Sequence, residues 1–183
     1  MKKILLLLGL ALMAFSCQTE PVFDEDITAD RIISDDGEVG DGNNNNGEAA
    51  ELYSDDLLAG QTIDSGNLTV ELDEGTVIVS YETEGDWVIT ETHLYVGPLA
   101  DMPLNTPGNP QIGQFPDADE FDPAVTAVTY ATLDLEPGEC VYVAAHAVVV
   151  NTVTGEEETA WANGDPLGGS SWAMAFEICA PAE

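Results

Sequence analysis

From Cys140 to Val150 the chain reads Cys-Val-Tyr-Val-Ala-Ala-His-Ala-Val-Val-Val, a nearly unbroken apolar run. It is too short for a membrane helix and rich in β-branched residues, so it predicts a strand covered on both faces at the centre of a sheet. Its neighbours are shorter β-rich runs set between turn signals. Asn67 to Glu71 and Thr76 to Tyr81 flank Asp73-Glu74-Gly75 and read as a hairpin. Trp87 to Val96 follows the turn Glu84-Gly85-Asp86. Strict alternation there puts Val88, Thr90, Thr92, Leu94 and Val96 on one face, and Trp87, Ile89, Glu91, His93 and Tyr95 on the other. Gly97 to Pro123, full of proline, glycine and asparagine, predicts one long loop. Val125 to Leu135, Glu158 to Ala162 and Ser171 to Cys179 return to strand composition. About seven strands and no amphipathic helix predict an all-β chain, an antiparallel β-sandwich.

That domain occupies residues 51–183, which is enough chain for a proper core. Residues 17–50 are acidic and rich in Gly and Asn, ending in Asp41-Gly-Asn-Asn-Asn-Asn-Gly47; such a segment buries too little apolar surface to offset its conformational entropy and predicts a solvated tether. Asp41, Asn43 and Asn45 echo the start of an EF-hand loop, but its sixth position is Asn46, not glycine, and its twelfth is Leu52, not glutamate. Residues 1–16 carry Lys2 and Lys3 before the apolar run Ile4 to Met13, the layout of an export signal too short to span a bilayer.

The signal ends at Ala14-Phe15-Ser16-Cys17, with small residues three and one before the cysteine. This resembles the bacterial lipoprotein signal, which implies acylation of Cys17 and a membrane anchor through the lipid. An ordinary secretory site would cut the same bond. The chain has three cysteines, and lipid on Cys17 leaves Cys140 and Cys179 as an even pair, for which an exported protein predicts a disulfide rather than buried free thiols. Closing 39 residues would contribute on the order of 4 kcal/mol. It would also place the last strand directly beside Cys140 to Val150, or facing it across the sandwich, because two cysteines separated by an intervening strand are too far apart to bond. Glu20 and Asp24-Glu25-Asp26, close behind Cys17, are similar to the export signals of Bacteroidetes-type lipoproteins. That likeness implies the outer membrane and the cell surface, with a periplasm-facing anchor as the alternative.

Charge narrows the partners. Arg31 is the last basic residue, so Ile32 to Glu183 contain no Lys or Arg, and with the two signal lysines removed one Arg stands against 35 acids, a net charge of −34. Nucleic acid and anionic membrane surfaces need a positive footprint and are excluded as electrostatic partners. Cations fit the excess, and so does life in concentrated salt, where self-repulsion is screened over about 3 Å at 1 M. The same lack of Lys and Arg removes the usual clamps for phosphate and oxyanion charge, and no Gly-x-Ser-x-Gly or His-Glu-x-x-His occurs, so no enzyme is predicted and no catalytic residue is assigned.

Binding is the remaining chemistry. His93 and His146 are the chain's two histidines, and Glu91 shares a face with His93, so neighbouring strands would assemble a His/Glu/His cluster. Asp117, Asp119, Glu120 and Asp122 are the candidate calcium ligands of the long loop, calcium being the one cofactor considered. Trp87, Trp161 and Trp172, with Tyr95 and Tyr142, are either platforms for sugar rings or core. Five stretches, Glu91 to Gly97, Gly108 to Pro116, Val143 to Val148, Glu158 to Trp161 and Trp172 to Phe176, resemble an uncharacterised β-rich module of secreted and lipoprotein chains. The resemblance implies a single module and carries no activity. The candidate binding residues within these stretches are Glu91, His93, Asn109, Gln114, His146 and Trp161. The expectation is a lipid-anchored surface protein with a non-catalytic binding or accessory module for a glycan or other surface ligand. The alternatives are a structural envelope module without a ligand and a secreted hydrolase.

Overall fold

A computed structural model describes residues 49–182. The signal segment, Cys17 and nearly all of the tether lie outside them. The domain is all-β and antiparallel, as expected, but it has ten strands rather than seven: β1 Ala50–Ala59, β2 Ile63–Asp73, β3 Thr76–Thr83, β4 Trp87–Gly97, β5 Asp117–Val125, β6 Ala127–Asp134, β7 Cys140–Asn151, β8 Glu157–Ala162, β9 Asp165–Pro166 and β10 Met174–Cys179. They run in the order β5-β4-β7-β8-β1-β2-β3-β6, with β10 pairing β7 beside β8 and β9 pairing β10. Because β5 and β6 stand at opposite ends of that order and only Thr126 separates them in sequence, the chain itself ties one edge of the sheet to the other. The sheet therefore curls into a flattened, nearly closed barrel.

The hairpin β2-β3 forms as predicted, with Asp73 opposite Thr76. Glu74 and Gly75 both have positive φ, 49° and 95°, the pair of conformations a two-residue type I′ turn requires. Gly66 is also obligatory: at φ 150° a Cβ would lie 2.0 Å from the carbonyl oxygen of Glu82 on β3. The interior is filled by alternate residues of each strand, among them Leu57, Leu68, Val70, Val77, Val79, Tyr81, Val143, Ala145, Ala147 and Val149. Each large member stabilises by roughly 1.5–3 kcal/mol through burial alone.

β7 is the predicted central strand. Its early half pairs with β10 and its late half with β8 on one side, while β4 pairs with Tyr142 to Asn151 on the other. Cys140 and Cys179 are register partners and are joined by the expected disulfide, which fastens the last strand directly to β7.

Two sequence expectations need correction, and one strand adds to them. Gly97 to Pro123 is not one loop: after two single turns of 3-10 helix, Leu99–Asp101 and Ile112–Gln114, Asp117–Val125 pairs with β4 as an edge strand. Edge position is what makes its acids and Pro123 tolerable. Ala50–Ala59 forms a strand that its half-exposed acidic pattern conceals. Finally, β4 does not alternate strictly. A bulge between Ile89 and Glu91 inserts one residue, so Ile89 joins Thr92, Leu94 and Val96 inward, while Glu91, His93 and Tyr95 remain outward.

The outward face of β4 and β7 is not bare. Tyr95, Met102, Phe115, Ala144, Trp161, Ala173 and Ala175 form a second apolar cluster, roofed by the segments before β5 and before β10.

Candidate functional site

Register builds the site as a row across the sheet: Ala118 of β5 lies opposite His93 of β4, His93 opposite His146 of β7, and His146 opposite Trp161 of β8. Side chains of directly opposed residues on one face touch, and these do. The Nδ1 atoms of His93 and His146 are 3.3 Å apart. Glu91 Oε1 lies 3.2 Å from His93 Nε2. The Trp161 ring centre is 4.9 Å from that of His146. His93 and His146 are only 8% and 3% exposed. Burial, then the neighbouring His93, push His146 down to about 4, so that it is neutral at pH 7.

Beside this row two recesses follow β4 and β5. One, of about 140 Å³, is lined by Glu91, His93, Ala118, Asp119 and Glu120. The other, of about 520 Å³, is lined by Thr90, Glu91, Glu120, Phe121, Asp122, Val148 and Glu157. Sharing Glu91 and Glu120, they form one groove with carboxylates along its walls and Ala118, Phe121 and Val148 as its apolar parts. Asp119 is anchored: Tyr130 donates to its Oδ2 at 2.9 Å, and the Tyr130 hydroxyl also shares a hydrogen bond with Thr92 Oγ1 at 2.6 Å. Burial and the Asp119 carboxylate raise Tyr130 to about 12, so it stays a donor. Asp117 is held above the usual carboxylate range, first by burial and then by Asp119.

Of the six candidate binding residues, the fold assembles Glu91, His93, His146 and Trp161. It does not bring Asn109 or Gln114 into the row. Asn109 Oδ1 instead accepts from the backbone N–H groups of Ser170 and Ser171, both at 2.8 Å, and so clasps together the two segments that roof the second cluster. Gln114 is exposed at the end of a 3-10 turn. Trp161, 6% exposed, packs in the second cluster and offers no free face for a sugar ring, while Trp172 and Trp87 are half-buried against the two cores.

The candidate calcium ligands Asp117, Asp119, Glu120 and Asp122 are strung along the edge strand rather than gathered in a loop. Among the described residues, no three His, Cys, Asp or Glu side chains are arranged to hold a metal ion. The His/Glu/His cluster shows why: Glu91 faces the Nε2 of His93 and His146 its Nδ1, on different sides of the ring, so the three do not converge on one point. Thr90, Phe121, Val148 and Glu157, which sequence reasoning missed, line the groove because β5 is a strand and a bulge interrupts β4, neither of which has a composition signal. The chain matches no family model, no curated protein and no solved structure.

Proposed function

We propose that this is an exported, lipid-anchored surface protein whose β-domain is a non-catalytic binding module, and that the groove along β4 and β5 takes a neutral or amino-bearing glycan. The observation that carries the reading is the make-up of that groove, carboxylate acceptors around Phe121 and Val148. Sugar hydroxyls and ammonium groups are donors that carboxylates satisfy, and the C–H face of a pyranose needs an apolar contact. Residues 32–183 supply no Lys or Arg, so an anionic ligand would meet repulsion without a compensating clamp. The lipid anchor rests on the Cys17 segment, and the even Cys140–Cys179 pair that remains supports it.

The reading is tested by titrating the protein with neutral oligosaccharides and with chitosan oligosaccharides, followed by calorimetry. Saturable binding that Glu91→Gln and Glu120→Gln weaken supports it. Absence of saturable binding to either class leaves a structural envelope module as the better description.

A further inference from the structure

Glu91, His93 and His146 form a hydrogen-bonded row whose direction is set by its end. A carboxylate can only accept, so neutral His93 carries its proton on Nε2, 3.2 Å from Glu91 Oε1, and presents a lone pair at Nδ1. His146 must then donate from its own Nδ1 across the 3.3 Å contact, leaving a lone pair on its Nε2. We infer that this row is a proton-taking unit that accepts one proton and refuses a second, with the resulting charge settling on His93 in the wall of the groove. On uptake, an N–H bond forms at His146 Nε2. The Nδ1–H bond of His146 breaks as one forms at His93 Nδ1, and His146 Nδ1 becomes the acceptor. No other bond changes, and the row gains a single positive charge.

The surroundings favour the first proton and oppose the second. Glu91 of β4 and Glu120 of β5 border His93, while the Asp119 carboxylate, opposite the inward Thr92, is turned to Tyr130. Asp117 lies two positions from Asp119 on β5, and Glu157 four positions from Trp161 on β8. The roofing segments contribute Met102 and Phe115 to the cluster around Trp161, and Asp101 beside Met102. Every charged group among these is an acid, so the charge on His93 has partners and no cationic competitor. A second proton would set two largely buried imidazolium rings nitrogen to nitrogen at 3.3 Å. The depressed affinity of His146 runs in the same direction. Charged His93 would hold Glu91 as an ion pair and withdraw it from a ligand, so glycan affinity in the groove falls in acid. This last consequence rests on the proposed function, whereas the proton unit does not.

With two histidines in the whole chain, ¹⁵N-histidine NMR of the full-length mature protein reads the row directly. At pH 8 we expect His93 as the Nε2–H form and His146 as the Nδ1–H form. On acidification both rings should respond in one shared step that takes up one proton, with His146 switching to Nε2–H. Glu91→Gln keeps an acceptor but removes the charge, and should move the step down by about one pH unit. Two separate ordinary titrations, a His146 already in the Nε2–H form at pH 8, or stoichiometric zinc binding that displaces the Nδ1 proton would each overturn the inference. Glycan affinity measured at pH 7.5 and 5.5 should fall on the order of tenfold in the acid sample, from the loss of one charged hydrogen bond. A shared NMR step with unchanged affinity would uphold the proton unit and refute its control of the groove.

Discussion

His146 makes the stability of the β-domain depend on pH in a direction opposite to that of its carboxylates. In the unfolded chain the ring titrates near 6.5; in the folded domain burial and His93 lower it to about 4. The unfolded state therefore binds more protons between these values. Stability contributed by keeping His146 neutral is fully present above pH 6.5, falls as pH drops, and is gone below pH 4. The shift corresponds to about 3 kcal/mol, a large part of the 5–15 kcal/mol typical of a whole domain. Relief of self-repulsion among the domain's many acids acts the other way, as does Asp117, whose raised affinity makes protonation easier in the folded state. Chemical unfolding by urea in 1 M NaCl, where surface charge is screened over about 3 Å, isolates the histidine. The wild type should lose about 3 kcal/mol more than His146→Leu between pH 6.5 and 4. Parallel curves for the two proteins would refute the reasoning.

Replacing Cys140 and Cys179 by alanine opens a 39-residue loop and should cost about 4 kcal/mol, seen as a lowered midpoint of thermal unfolding that reducing agent does not lower further. Gly66→Ala places a methyl against the Glu82 carbonyl at a φ that L-residues avoid; a loss of more than about 2 kcal/mol is expected, and a neutral result in urea unfolding would mean β2 and β3 pair differently there. Asn109→Ala removes the acceptor for the Ser170 and Ser171 N–H groups, so limited proteolysis should cut within residues 103–114 or 165–172 much faster, while glycan affinity stays unchanged.

Much of the fold was legible because its central strands announce themselves. The apolar run of β7 marks a central strand, the turn Asp73-Glu74-Gly75 marks a hairpin, and the even cysteine pair marks a disulfide that leaves β10 either beside β7 or facing it; register puts it beside. Edges were less legible. β1 carries Asp55 and Asp56 and β5 carries four acids and a proline, because an edge or half-exposed strand is held by backbone pairing with its neighbour and not by its own apolar face. Within β4 the outward triad Glu91, His93 and Tyr95 was read correctly, but Ile89 was not, since a bulge at position 90 leaves no mark in composition. The site followed the same division. Juxtaposition of His93, His146 and Trp161 depends on register between β4, β7 and β8, which hydrophobic pattern leaves open. Asn109, singled out as a binding residue, turned out to be a clasp, a role defined only by the backbone of a segment sixty residues away.

We propose the groove bounded by Glu91, His93, Glu120 and Phe121 as the seat of the ligand. Backbone ¹H–¹⁵N spectra of the uniformly labelled protein, recorded during titration with the oligosaccharide that binds best in calorimetry, test it most directly. Saturable shifts confined to residues 90–93, 118–122, 148 and 157 are the predicted result. Shifts that cluster on β1 and β2, away from β4 and β5 in the strand order, would contradict it.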